Sequence, residues 1–300
     1  MRPSDCGGIS FVPALDQLRA TGRAWTDPIS FREYVSAHFG PDRAAATKTA
    51  QFVSVQSWGG LRPELREAGA MVFRLGVGTF ALAKAGPAGV ARDYFLLDDE
   101  LFAKAAATFI PDASFLDIYP FQLLGTLQEG GAVNLAIASG ALAHSLRLDR
   151  PFSRVAPGRG ASVYDFTVRP HDAYPAVWPH VGGQVEVDCV FFGKRDDKWK
   201  LFVVEAKLGR PDSSSRLPKY KLVYPVSALS GKGIPEDIEV IPVYLRSWFD
   251  EDARMAFFAT AECSLPDVWS PVVSSLQPAS SSVLAMPMAM LGATRKRPNV

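Results

Sequence analysis

The feature that most constrains this chain is a pair of β-rich runs separated by a short polar turn. Gln184-Val185-Glu186-Val187-Asp188-Cys189-Val190-Phe191-Phe192 leads into Gly193-Lys194-Arg195-Asp196-Asp197-Lys198, and Lys200-Leu201-Phe202-Val203-Val204-Glu205-Ala206-Lys207-Leu208 follows. Branched and aromatic residues on both sides of such a turn predict a β-hairpin. A turn centred between Asp196 and Asp197 sets the register, placing Asp188 opposite Glu205 and Glu186 opposite Lys207. Side chains alternate along a strand with period two, so all four point to one side. Facing Cβ atoms lie about 4.5–5.5 Å apart, and like charges opposed at that distance destabilise a sheet. Asp188 against Glu205 is therefore a cost without a cation. The surrounding Val, Phe and Leu put these charges at the edge of an apolar sheet, where carboxylates are paired or bound to metal.

Two carboxylates offering only oxygen suit Mg2+, with Mn2+ as a substitute, and either ion would keep water in its remaining positions. Lys207 lies two residues beyond Glu205 on the same face, close enough to position that water and offset charge developing on phosphorus. A metal lowers the pKa of bound water and polarises a phosphoryl oxygen. These parts outline phosphodiester hydrolysis. The same residues also read as charges on a solvated sheet face, with Glu186 and Lys207 a cross-strand ion pair worth at most about 1 kcal/mol.

The hairpin sits in a wider pattern. Residues 127–148 read as one long helix, with Val133, Ile137, Leu142 and Leu146 as its apolar stripe and Glu129 near its start. Strands are expected at 162–168, 184–192 and 200–208, then a helix over 217–229, then strands at 238–245 and 255–261. The order is α-β-β-β-α-β. Residues 270–282, rich in Ser and Pro, read as a loop, and 271–300 as a C-terminal tail ending in Arg295, Lys296 and Arg297. Before residue 120, helices are expected at 31–39, 44–55 and 61–68, with a hairpin of strands 71–75 and 79–84 around Gly76-Val77-Gly78. Residues 43–84 can be described as helix, turn, helix and wing, a module that places a helix in a DNA groove, or as a plain structural domain. The division is an N-terminal α+β domain over 1–120, an α/β domain over 121–270, and the tail.

Asp188, followed after a hairpin connection by Glu205-Ala206-Lys207, resembles the PD-(D/E)XK nuclease superfamily. Gly158-Arg159, Tyr164-Asp165-Phe166, Gln184-Val185-Glu186-Val187-Asp188, Val204-Glu205-Ala206-Lys207 and Val223-Tyr224-Pro225 are similar to a prokaryotic, restriction-endonuclease-type branch of it. The resemblance covers roughly residues 125–260 and implies an α/β fold with a restriction-endonuclease-like αβββαβ core. It also implies Asp188 and Glu205 as metal ligands, the Ala206 carbonyl as a further ligand and Lys207 as the catalytic lysine. Glu129 matches an acid that many members add to the metal site, and reads equally as a first-turn glutamate favoured by the helix dipole. Val187 stands where the superfamily name has proline, and Lys221 where this branch carries glutamine, a departure that bears on substrate orientation. The implied activity is Mg2+-dependent hydrolysis of double-stranded DNA. A non-catalytic DNA-binding or regulatory protein with this fold, and a junction-resolving or repair nuclease, are the alternatives.

The net charge of +1, from 32 Lys and Arg against 31 Asp and Glu, does not mark a nucleic-acid binder, so local charge must carry that argument. Between 207 and 232 the basic residues Lys207, Arg210, Arg216, Lys219, Lys221 and Lys232 face a single acid, Asp212. Such a segment can neutralise backbone phosphates. Lys219, Lys221 and Arg216 are the candidates for DNA contact, with Arg159 between Gly158 and Gly160 as another. Cys6, Cys189 and Cys263 form no C-x-x-C pair, which points away from disulfides and zinc and towards a reducing cytoplasm. No run approaches the roughly 20 apolar residues of a membrane helix, and a homodimer would supply two sites for two strands. Ser230-Gly231-Lys232-Gly233 lacks the first glycine and the Ser or Thr of a phosphate loop. Gly76-Val77-Gly78 does not open a helix, and His38, His144, His171 and His180 lack zinc-ligand spacing.

Overall fold

The computed structural model describes residues 8–111, 113–123, 127–149 and 158–288. The sequence readings at Cys6 and at Arg295, Lys296 and Arg297 lie outside them. The chain begins with α1 (Val12–Thr21), β1 (Ile29–Ser30), α2 (Phe31–Phe39), α3 (Pro41–Ala46), α4 (Ala50–Val53) and α5 (Pro63–Glu67). Then come β2 (Ala70–Arg74), β3 (Thr79–Lys84), α6 (Val90–Tyr94), α7 (Asp98–Leu101), β4 (Ala107–Thr108) and α8 (Phe115–Gln122). The second half holds α9 (Glu129–Ala138), α10 (Ala141–Ser145), β5 (Gly158–Val168), β6 (Trp178–Arg195), β7 (Lys198–Leu208), α11 (Tyr220–Leu229), β8 (Glu239–Asp250), β9 (Met255–Ser264) and β10 (Gln277–Pro287).

This is a mixed α/β architecture built on a seven-stranded sheet of order β4-β10-β9-β8-β7-β6-β5. The β6–β7 hairpin pairs antiparallel from Arg195↔Lys198 inward. Asp196 and Asp197 take the left-handed φ values of 53° and 60° that a two-residue hairpin turn needs to match strand twist. Both turn amides donate to the Asp149 carboxylate, at 3.2 and 3.0 Å. After β7 the chain crosses through α11 and returns as β8, parallel to β7, as a parallel neighbour requires. From α9 to β8 the order is two short helices, three strands, helix, strand.

The two faces of the sheet bury different partners. Val133, Leu135, Leu142 and Leu146 of α9 and α10 pack with Cys189, Phe191, Phe202, Val204 and Ala206. On the other face Val226 of α11 packs with Val187, Leu201, Val203 and Val240. Every residue of α11 is buried except Lys221 and Leu229. A helix apolar all round must be covered all round. Its outer side meets β2 of the N-terminal three-stranded sheet, of order β1-β3-β2, where the Phe73 ring lies 6.3 Å from that of Tyr220 and the Tyr224 hydroxyl donates to the Arg74 carbonyl at 2.9 Å. The tip of the β2–β3 hairpin reaches β6, where Gly76 bridges to Val181. A Cβ at Gly76 would stand 2.0 Å from the Val181 carbonyl oxygen, and its φ is 110°, so this close approach requires glycine.

A buried ion pair ties the N-terminal half to the loop that follows β7. Asp98, fully buried, accepts from Arg246 Nη1 at 2.8 Å, from the Tyr244 hydroxyl at 2.7 Å and from the Leu217 amide at 3.2 Å. Arg246 also donates to the carbonyls of Gly209 and Ser215, at 2.8 and 3.2 Å.

Three expectations are corrected. The helix over 127–148 is two helices, because Gly140 adopts a left-handed φ of 80° between α9 and α10. The helix over 44–55 is likewise interrupted, with Thr47 extended between α3 and α4. Residues 277–287, divided between a loop and the tail, form β10, inserted between β4 and β9.

Candidate functional site

The site forms where the β6–β7 ladder ends. Its register is the expected one, but the last pair is Cys189↔Val204, one step short of Asp188 and Glu205. On its other side β6 carries a bulge: Gly158 pairs with Val190 while Gly160 pairs with Val187, so β6 uses one residue more than β5. Bulges interrupt alternation and re-aim side chains. Consistent with this, Val187 and Val190 both contact the cluster on the α11 side, where strict alternation would separate them. The expected facing pairs Asp188/Glu205 and Glu186/Lys207 are therefore not ladder pairs. Asp188 instead turns its carboxylate to the backbone of β7, and the Ala206 amide donates to its Oδ2 at 2.8 Å.

Lys207 is the centre of the cluster. Its Nζ lies 3.0 Å from Glu205 Oε1, donates to the Ala206 carbonyl at 2.7 Å, and reaches the Glu129 carboxylate at 3.2 and 3.4 Å. Glu129, the first residue of α9, thus takes the place expected of Glu186. Beside it, Arg159 of β5 lays its guanidinium against Gly130, where even a Cβ would lie 1.8 Å from Nη2. Lys221, the one charged residue of α11, approaches Glu205 Oε1 at 3.9 Å. Asp188, Glu205, Ala206, Lys207 and Glu129 are therefore brought together.

Glu205 is only 4% exposed. Burial pushes its carboxyl up to about 7, outweighing the opposing pull of Lys207 and Lys221. For Lys207 burial acts against the charge, but Glu205 and Glu129 outweigh it and hold the ammonium above its ordinary range. A buried acid whose carboxyl is raised this far beside two lysines marks a candidate functional group.

Among the described residues no group of three or more His, Cys, Asp or Glu is placed to hold a metal ion. The donor set fits Mg2+, which binds through one or two carboxylates and keeps several waters. Asp188, Glu205 and the Ala206 carbonyl would hold it, all through oxygen, and the Ala206 carbonyl is already engaged by a cation, the Lys207 ammonium.

The DNA-contact candidates fare differently. Lys219 is corrected: it is 2% exposed, and its Nζ donates to the Ser274 carbonyl at 3.1 Å. Burial lowers its pKa to about 8. Its ammonium is enclosed and engaged inside the fold, away from any surface a phosphate could reach. Arg216 is held in a bidentate pair with Asp99, with both contacts at 2.8 Å, instead of standing free. Arg159 is exposed beside Glu129, and Lys221 lies at the site.

Next to Glu205 opens a cleft of about 560 Å3. Glu186, Glu205, Lys221, Tyr220 and Tyr224 line one side, and Gln51, Ser54, Gln56 and Arg74 from the N-terminal half line the other. His180 also lines it, its Nδ1 3.1 Å from the Tyr164 carbonyl and its ring stacked on Phe166 at 4.2 Å. Burial lowers the His180 pKa. None of the N-terminal residues was legible as part of a site, because only tertiary packing brings α4 and β2 to it. For Lys221 the signal was present: it is a lone charge in an otherwise apolar helix.

Residues 113–258 match the model of a domain of unknown function (DUF6997), a span running from just before α8 into β9. No curated protein and no solved structure matches the chain. Among the described residues no helix is long and apolar enough to cross a membrane.

Proposed function

We propose that this chain is a Mg2+-dependent endonuclease that hydrolyses phosphodiester bonds of DNA, with Asp188, Glu205 and Lys207 as its catalytic residues. The observation that carries the reading is the meeting of a deeply buried Glu205 and a Lys207 ammonium 3.0 Å from it, both near the end of β7, with an Asp188 carboxylate of β6 fixed to the Ala206 amide between them. With α9 and α10 standing where one helix was expected, the helical layer, three strands, helix and strand that surround them follow the order of a restriction-endonuclease-like core, which supports the PD-(D/E)XK resemblance.

A bound Mg2+ would polarise the phosphoryl oxygen and lower the pKa of the attacking water. The chain's own residues do the rest. Asp188 is oriented by the Ala206 amide, so its second carboxylate oxygen is presented without a search of rotamers. Lys207, once its hold on Glu129 and Glu205 is shared with substrate, can donate to a nonbridging phosphate oxygen and to the incoming water. Glu129 accepts from Lys207 and fixes the direction of its ammonium. In-line attack by water with departure of the 3′-oxygen leaves a 5′-phosphate. A homodimer would present two such sites to the two strands of a duplex, and a cytoplasmic setting follows from the same reading.

A second reading, a DNA-binding or regulatory protein without catalysis, is favoured by one observation: Lys207 is the ion-pair partner of both Glu205 and Glu129, as a purely structural charge cluster would have it. Incubation of the full chain with supercoiled plasmid and Mg2+ separates the two. Nicked or linear product from the wild type, absent with Lys207→Ala, supports the nuclease. DNA binding without cleavage supports the second reading, and cleavage retained by the variant refutes the assigned site.

A further inference from the structure

We propose that the cleft beside Glu205 receives one nucleotide unpaired from its complement, so that the preferred substrate is DNA whose scissile strand is single at the site of cutting. The inference rests on the nuclease reading for its chemistry and on the cleft for its specificity. At about 560 Å3 the cleft lies within the range of roughly 300–1,000 Å3 that encloses a single small ligand. Stacked base pairs do not enter a recess of that size, whereas one nucleotide turned out of the stack does.

The lining matches the parts of a nucleotide. Glu205 and Lys221 bring an acid and an ammonium group to the cleft on the side of the proposed catalytic residues, where the phosphate must lie. Arg74, on the opposite wall, has no carboxylate partner among the described residues, and its Nε donates only weakly, at 3.3 Å, to the Gly76 carbonyl. It offers a second cation to the flanking backbone. Gln51, Gln56 and Gln184 line the cleft as exposed residues, and none of their amides is hydrogen-bonded to another described residue. An amide presents a donor and an acceptor together, the pattern that reads the edge of a base. Ser54, which also lines the cleft, has a buried hydroxyl without a partner in the structure. A polar atom left in that state is satisfied when a polar ligand arrives. The floor is aromatic: the rings of Tyr220 and Tyr224 lie 5.1 Å apart, and their hydroxyls are consumed by the carbonyls of Val55 and Arg74. Those bonds leave the rings as an apolar surface for a base.

The walls come from separate parts of the chain, α4 and β2 on one side and β6, β7 and α11 on the other. The β2–β3 hairpin is docked onto β6 at Gly76, so the recess is preformed.

The test measures binding apart from cleavage. One oligonucleotide sequence is prepared as a single strand, as a perfect duplex, and as a duplex with one unpaired nucleotide carrying 2-aminopurine. Binding of each to the full chain is followed by fluorescence anisotropy in metal-free buffer. The unpaired duplex or the single strand is expected to bind roughly tenfold more tightly than the perfect duplex, the scale of one bidentate base contact. The Gln51→Ala, Gln56→Ala double variant should bring that ratio close to one, and Gln184→Ala, on the other wall, should lower it independently. Preference for the unpaired duplex alone assigns a nucleotide extruded from a helix, and equal preference for the single strand assigns single-stranded DNA. Equal binding of all three forms, tightest binding of the perfect duplex, or a preference untouched by both variants overturns the inference. If the preference holds and Mg2+ produces no cleavage of any form, the cleft assignment stands and the nuclease reading falls. If the perfect duplex is cut without any preference, the reverse is true.

Discussion

Replacing Glu205 with Gln separates the charge of this side chain from its shape, and the structure gives the size of the effect. Burial holds the Glu205 carboxyl up to about 7 against an ordinary 4.5. At about 1.4 kcal/mol per pKa unit, ionising it in the fold costs on the order of 3 kcal/mol. A carboxyl whose pKa is raised by folding contributes stability that is complete below its unfolded value and is lost as pH rises through the folded one. In the presence of a chelator the wild type should therefore lose on the order of 3 kcal/mol from this group between about pH 4.5 and pH 8, and Glu205→Gln should lose none of it. Mg2+ should restore stability to the wild type at pH 8, by about 2.7 kcal/mol at a hundredfold excess over its dissociation constant. The gain should vanish in the variant, and also at acid pH, where a proton takes the place of the ion. Urea unfolding at several pH values, with and without Mg2+, measures all of this. Parallel pH profiles for the two proteins, or an Mg2+ gain that survives in Glu205→Gln, would refute the reasoning.

Two further substitutions probe the rest of the molecule. Arg246→Met leaves Asp98, whose carboxyl burial pushes up to about 6, without its cation. The expected loss at pH 8 is about 3–5 kcal/mol in urea, shrinking as pH falls towards 6 because Asp98 without its cation takes up a proton at higher pH than in the wild type, and a loss under about 1 kcal/mol would contradict the assignment. Lys219→Met removes a buried lysine whose pKa is lowered to about 8, a group whose stabilising contribution is complete above its unfolded value of 10.5 and is lost as pH falls through 8. The variant should be as stable as the wild type or more so at neutral pH, with DNA affinity unchanged. A fall in affinity would restore Lys219 as a phosphate contact.

Much of the hairpin was legible because its chemistry is local. Two strands of Val, Phe and Leu around Asp196-Asp197 leave one favourable turn, and that turn fixes the register through Cys189↔Val204. What the pattern could not show is where the ladder stops. The bulge in β6 arises from pairing with β5, a contact between distant segments, and it redirects Asp188 from Glu205 to the Ala206 amide. Glu129 and Lys207 were both singled out, but their pairing depends on how α9 packs over the sheet. Lys219 shows the opposite failure: in sequence it is one more surface lysine, and only distant segments, Tyr94 of α6 at its amide and Ser274 at its ammonium, enclose it. β10 was hidden by serines whose alternation is unlike that of an apolar strand, although Val283, Leu284, Ala285 and Met286 bury its second half. The break at Gly140 was legible in principle, since Ser139-Gly140 is a natural helix end.

The most direct measurement of the central claim is the single-turnover cleavage rate of an end-labelled DNA with Mg2+, for the wild type, Asp188→Ala and Lys207→Ala, with analysis of the product ends. The account predicts 5′-phosphate and 3′-hydroxyl ends from the wild type and a loss of at least about a hundredfold in each variant, the usual scale for a group that stabilises transition-state charge. Equal rates in all three proteins, or products ending in a 3′-phosphate, would contradict it.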